Sequence, residues 1–155
     1  MTAVELSCGL PPGPQLADLA VLAAVRTTRV GLGTAVLVPS QRSVMTMASG
    51  IATIARLSGG RLRACFGTGF TARLAVGERP ITLDALFDYV SALGTLGHGE
   101  TALMGGRPAR MLHAPRMADP RPIDVPLWLS VLGPKGSARA ADVADGIIGH
   151  RARSR

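Results

Sequence analysis

The sequence predicts an α/β protein built on a parallel sheet: an incomplete (β/α) barrel of about five strands with helices packed outside. Three observations predict it. Aliphatic and β-branched runs of strand length alternate strictly with amphipathic stretches of helical length. Several of these runs are apolar at successive positions, as strands covered on both faces are. Glycines punctuate three of them: Gly31-Leu32-Gly33-Thr34 lies within one run, Gly67-Thr68-Gly69 ends the next, and Gly133-Pro134-Lys135-Gly136 follows the run Leu127 to Leu132. A closed eight-stranded barrel takes about 250 residues. This chain has 155, so closure is not expected.

The elements follow in order. A strand near residues 3–9 is closed by Pro11-Pro12-Gly13-Pro14, whose prolines cannot donate to a ladder. A helix runs from Gln15 to Arg26, with Leu16, Leu19, Ala20 and Ala23 on one stripe. Thr28 to Val38 reads as one continuous strand (residues 29–38 at its centre), stopped by Pro39. Ser43 to Leu57 carries Met47, Ile51, Ile54 and Ala55 at helical spacing and ends at Gly59-Gly60. A strand over 62–68 follows. Thr82 is an N-cap for a helix whose stripe is Leu83, Leu86, Phe87, Val90 and Leu93, fading at Gly97. Glu100 to Asp124, with Gly105-Gly106, reads as a hairpin-like excursion and loop. A strand over 127–132, a helix over Ser137 to Val143 and a strand over 146–149 complete one domain, residues 1–149. Residues 150–155, with Arg151, Arg153 and Arg155, are expected as a disordered basic tail.

Composition narrows the function classes. At 47% hydrophobic and 17% charged, the chain can bury a core and is not of the disordered class. The net charge of +7 comes from sixteen arginines and one lysine against ten acids. Arg26, Arg29, Arg42, Arg56, Arg61, Arg63 and Arg73 are scattered singly and only five residues are aromatic, which argues against a nucleic-acid partner. Cys8 and Cys65 each sit in an apolar run without a second ligand at metal spacing, so they read as buried free thiols and no metal is expected. The start lacks a basic leader and no apolar run approaches ~18 residues, so a cytoplasmic chain without a membrane partner is expected.

The strand ends carry the chemistry. In a parallel α/β sheet they share one edge, and glycine there lets backbone N–H groups approach an anion. Lys135, the one lysine, adds a charge at the third of them. His98, His113 and His150 fall in irregular or terminal segments, and Asp84, Asp88, Asp142 and Asp145 read as solvated-face or helix-end residues. No catalytic residue is assigned.

Three segments resemble the luciferase-like monooxygenase superfamily of flavin- or deazaflavin-dependent (β/α)8 TIM-type barrels. They are Thr27-Thr28-Arg29-Val30-Gly31-Leu32-Gly33-Thr34-Ala35-Val36; Leu57-Ser58-Gly59-Gly60-Arg61-Leu62 with Phe66-Gly67-Thr68-Gly69; and Val125-Pro126-Leu127 through Gly133-Pro134-Lys135-Gly136 to Ala144-Asp145-Gly146. The resemblance covers about residues 22 to 149. It implies an oxidoreductase with a small-molecule substrate, using FMN or the deazaflavin coenzyme F-420 at the C-terminal strand ends. Gly67, Thr68 and Gly69 would contact the cofactor, Gly133, Pro134, Lys135 and Gly136 its phosphate, and Thr34 and Ala35 would lie beneath its ring. The stretch Gly67-Thr68-Gly69-Phe70-Thr71-Ala72-Arg73 is closest to the deazaflavin branch.

The chain departs from the family in three ways. A second barrel strand is missing, no seventh or eighth strand follows Gly149, and Ser43-Val44 stands where members tend to have His-Pro. Weak or absent cofactor binding is therefore expected, and with it a shortened family member that is inactive on its own. Two alternatives remain. One is a Rossmann-type site using Gly67-Thr68-Gly69-Phe70-Thr71-Ala72 as G-x-G-x-x-A with Asp88 toward the ribose. The other is a non-catalytic half-barrel acting through self-association, a homo-oligomer covering open sheet edges.

Overall fold

The computed structural model describes residues 3–6, 16–111 and 122–149. Cys8, the Pro11-to-Pro14 stop, His113, His150 and the arginine-rich tail lie outside the described residues.

Strand β1 (Ala3–Leu6) is followed by α1 (Leu16–Arg26), β2 (Gly31–Thr34), α2 (Val44–Ser58) and β3 (Leu62–Gly67). The short α3 (Phe70–Leu74), α4 (Leu83–Gly97), the hairpin β4 (Ala102–Met104) and β5 (Arg107–Ala109), β6 (Leu127–Ser130), α5 (Pro134–Ala140) and β7 (Gly146–Ile148) complete the order. Five strands form one sheet in the order β1-β2-β3-β6-β7, every neighbouring pair parallel. The excursion is an antiparallel hairpin turned at Gly105 and Gly106, both at positive φ, as glycine permits.

Local chemistry sets the helix ends. The Ser43 hydroxyl accepts from Thr46 N–H (3.2 Å) to open α2, and Gly59, left-handed at φ 60°, closes it. The Thr82 hydroxyl accepts from Ala85 N–H (3.2 Å) to open α4. Arg61 joins three elements at their bases: its guanidinium donates to the carbonyls of Ala24, Thr27, Val30 and Ser58 and to the Thr27 hydroxyl, all within 2.6–2.9 Å. It thereby satisfies carbonyls that the ends of α1 and α2 leave open.

One face of the sheet carries the core. Leu62, Ala64 and Phe66 of β3 pair in register with their neighbours at Leu32, Leu127 and Leu129, and the helices lay Ala20, Ala24, Met47, Ile51, Leu86, Val90 and Leu93 over them. All these side chains are buried in one cluster except Leu127, which is half-buried against it. The alternate positions, Arg63, Cys65, Trp128, Ser130, Gly146 and Ile148, belong to the opposite face. A sheet in sequential strand order with its helices on one face is a wedge of a barrel. A Rossmann sheet instead reverses its strand order at a switch point and carries helices on both faces. The Rossmann expectation is corrected by that order, and by α3, which stops at Leu74 after five residues.

Two further expectations are corrected. Thr28 to Val38 is not one strand. The ladder breaks after Thr34, steps over Ala35 and Val36, whose peptide is cis, and resumes as a single bridge between Leu37 and Phe66. The Thr34 hydroxyl fills the break, accepting from Cys65 N–H (2.7 Å) and donating to Cys65 O (3.2 Å), so β3 keeps its hydrogen bonds where the β2 backbone leaves it. The last helix begins at Pro134 rather than Ser137, because proline suits a first helical position and the Ser137 N–H and hydroxyl both donate to Gly133 O (3.1 Å each).

Candidate functional site

Parallel strands bring their C-terminal ends to one edge. The register aligns Leu37 with Phe66, Gly67 with Ser130, and Ser130 with Ile148, so four chain segments meet in a row at that edge. Gly67, Thr68 and Gly69 lie at that edge and Gly133 to Gly136 follow directly from β6, whereas Thr34 stands lower, level with Ala64 and Cys65, and Ala35 follows it into the break.

The glycines there have partners of their own. A Cβ on Gly67 would stand 2.8 Å from Val36 Cγ2, and one on Gly69 would stand 2.5 Å from Val38 Cγ1. The two valines that follow the break in β2 thus pack onto the backbone at the end of β3, which requires glycine at both positions. Gly67 N–H is committed to Leu37 O (3.0 Å), and Thr68 O accepts from Ile81 N–H (3.1 Å). Thr34 is buried at 5% exposure with its hydroxyl engaged by Cys65, so its role is to shape the break below the edge. The short α3 is tied down by Arg73, which pairs with Glu78 (2.9 Å) and donates to Arg79 O (2.5 Å).

The Gly133 segment is more open. Gly133 has φ 81° and no atom within 4 Å of where a Cβ would stand, whereas Gly136 is buried with Val131 Cβ only 3.2 Å from where its own Cβ would be. Pro134 has no N–H to offer. Lys135 is exposed in the first turn of α5, where N–H groups have no partner within the helix. A cation beside such donors suits a phosphate, and the face formed by Val36, Trp128 and Ile148 suits an aromatic ring. Among the described residues, this donor set fits a flavin-type cofactor and carries the charge of Lys135.

Sequence reasoning missed Trp128. It is the single tryptophan, half-buried on the face opposite the helical core, and its ring lies across Gly146: a Cβ there would be 2.6 Å from Trp128 Cε2. The glycine that opens β7, aligned with an aromatic residue of the preceding strand, was the available signal.

The titratable candidates stand elsewhere. His98 is exposed at the end of α4 with Nδ1 2.8 Å from Gly94 O. Asp84 pairs with Arg139, whose guanidinium sits 4.5 Å from the centre of the Phe87 ring, and Asp88 and Asp142 are exposed. The Asp145 carboxylate accepts from Leu127 N–H (2.8 Å), holding together the starts of β6 and β7. A cleft of about 210 Å³ lined by Ile51, Leu93, His98, Asp124, Pro126 and Asp145 lies at this N-terminal edge, away from the strand ends. That edge of an α/β barrel serves stability. Tyr89 packs on Phe66 (ring centres 6.0 Å apart) and donates to Arg42 O (3.0 Å); burial pushes its hydroxyl up to about 12, so it acts as a neutral donor.

The family model for luciferase-like monooxygenases matches residues 11–154. The chain belongs to the luciferase-like monooxygenase family. Solved structures of the same fold include the coenzyme F-420-dependent tetrahydromethanopterin reductase of Methanopyrus kandleri, 19% identical with a TM-score of 0.75 over 96% of this chain and 47% of that one. The monooxygenase RslO1 of Streptomyces bottropensis is 23% identical, with a TM-score of 0.74 over 94% of this chain and 47% of that one. The oxygenating constituent of 3,6-diketocamphane monooxygenase from Pseudomonas putida, in complex with FMN, is 12% identical, with a TM-score of 0.64 over 84% and 42%. The chain thus spans about half the length of these luciferase-like folds, consistent with an incomplete barrel. No helix among the described residues is long and apolar enough to cross a membrane.

Proposed function

We propose that this chain is an oxidoreductase unit that binds a flavin-type cofactor, coenzyme F-420 in preference to FMN, along the C-terminal edge of its sheet, and acts there on a small-molecule substrate. The observation that carries the reading is the convergence of Leu37, Gly67, Ser130 and Ile148 in one row, with Lys135 on the segment that leaves the same edge. Membership of the family and neighbours whose names specify F-420 or FMN support it. When bound, the ring supplies hydride or oxygen chemistry. The chain's residues orient it: Lys135 toward the phosphate, and Val36, Gly67 and Ser130 along the ring. The preference for F-420 rests on the Gly67-to-Arg73 stretch.

Five strands wall the ring on one side only, so part of its ~150–250 Å² stays wet and several kcal/mol of burial are forgone. Binding is therefore weak, with a Kd of about 10–100 μM. Titration of the purified chain with each cofactor, read by ultrafiltration, tests this. Sub-micromolar affinity would contradict the open-walled site, and no retention of either cofactor at millimolar concentration would contradict the site itself.

A second reading is favoured by one observation. β1 and β7 are each paired on one side only among the described residues, and Ile147 of β7 is 40% exposed. Unpaired edges of this kind favour self-association. Sedimentation velocity distinguishes the two: a concentration-independent monomer removes the half-barrel oligomer.

A further inference from the structure

Trp128 occupies the face of the sheet opposite the helical core. It is flanked in register by Cys65 on β3 and Gly146 on β7, and alternates with Leu127 and Leu129, which pack on the helical side. Its indole lies flat on the backbone of Gly146, with Cε2, Cδ2 and Nε1 at 2.6–2.8 Å from where a Cβ would stand, so glycine at 146 is what lets the ring lie there. The ring remains half-buried, and among the described residues its Nε1–H has no protein acceptor. Two residues further along the same strand and face, Ser130 stands beside Gly67 at the C-terminal edge, its Cβ 3.7 Å from a Cβ built there.

We propose that Trp128 is a ligand-facing residue: its indole forms the floor beneath the ring of the bound cofactor, with the Nε1–H directed to a polar atom of that ligand. This rests on the cofactor reading above. An aromatic plane laid flat on a glycine offers its other face to a second planar ring, and offset stacking with an unpaired N–H beside it suits a tricyclic heteroaromatic rather than an aliphatic ligand. Gly146 is the positioning residue, since it acts only through the indole it admits.

The test uses light emission, which a purely structural tryptophan would not alter. An indole in van der Waals contact with an excited flavin passes it an electron that returns within the same cycle, so emission is lost without net chemistry. Tyr89, the single tyrosine, is on the helical side of the sheet against Phe66, leaving Trp128 as the one tryptophan or tyrosine on this face. The purified chain is loaded with FMN and, in parallel, with coenzyme F-420; retention is measured by ultrafiltration and emission of the retained ligand by lifetime. Quenched emission in the parent is expected, rising severalfold in Trp128→Phe, with affinity weakened about three- to tenfold. Gly146→Ala, which keeps the tryptophan and displaces its ring, should raise emission likewise while far-ultraviolet dichroism stays at the parent's. Ligand retained with equal emission in parent and Trp128→Phe would overturn the inference and leave the cofactor reading standing. Retention of neither ligand by the parent would overturn both.

Discussion

At the residue scale, the glycines of the most conspicuous motif have a packing explanation that their sequence does not reveal. Gly67 and Gly69 accept the side chains of Val36 and Val38, and Gly69 also holds φ at 75°. Gly67→Ala is expected to cost about 1–3 kcal/mol through overpacking, and Gly69→Ala more, because alanine at that φ is itself strained. Chemical denaturation of Gly67→Ala, Val36→Ala and the double variant checks this. Partial rescue in the double variant is expected; strict additivity would mean that the valine is not what the glycine accommodates. Arg61 was one of several scattered arginines in the sequence, yet it makes five donations to the ends of α1 and α2 and the approach to β2. Arg61→Ala should lower stability by about 2–4 kcal/mol, and Arg61→Lys should recover only part, since one ammonium cannot match a planar fork. Lys135 is different: it is exposed, so Lys135→Ala should leave Tm nearly unchanged while weakening cofactor binding by about 1–2 kcal/mol at low salt. Equal affinity in variant and parent would remove Lys135 from the site.

At the scale of elements, the buried strands and the two long helices were legible because composition, periodicity and caps agree. Ser43, Gly59 and Thr82 bound their helices as their side chains and φ preferences require. The break in β2 was not legible, because Thr34, Ala35 and Val36 continue an apolar run and the interruption depends on a hydroxyl reaching Cys65 across strands. The start of α5 at Pro134 is not legible, because a glycine and a proline read as loop until Ser137 donates to the carbonyl of Gly133. The facing of Trp128 is not legible because Leu127 to Leu132 is apolar at all positions but Ser130, so period-two alternation does not say which side faces the helices. One contact between elements predicts a pH effect. Tyr89 fastens α4 to the segment after β2 through its bond to Arg42 O. Its pKa is raised from 10.0 to about 12, chiefly by burial, against a smaller opposing effect of Arg42. The neutral form is the one the fold favours, so this contribution is complete below pH 10.0 and is lost as pH rises toward about 12. Tyr89→Phe should lose about 1 kcal/mol at neutral pH and show a flatter decline of stability across that alkaline window in denaturant titrations. An identical alkaline decline in the variant would remove Tyr89 as its source.

At the scale of the molecule, sequential strand order with helices on one face makes a barrel wedge, and this was readable from strict strand and helix alternation. Which edge of that wedge works was readable only as a consequence of parallel pairing; what each residue does there was not, because packing and ligand contact both select glycine. The wedge presents two candidate surfaces, the C-terminal edge with Val36, Gly67, Ser130 and Lys135, and the N-terminal cleft with His98, Asp124 and Asp145. Hydrogen–deuterium exchange of the purified chain with and without saturating coenzyme F-420 or FMN separates them most directly. Slowed exchange at residues 34–38, 67–70, 128–136 and 146–148 is predicted. Protection concentrated instead at 93–98 and 122–127, or unchanged exchange throughout, would contradict a cofactor site at the C-terminal edge.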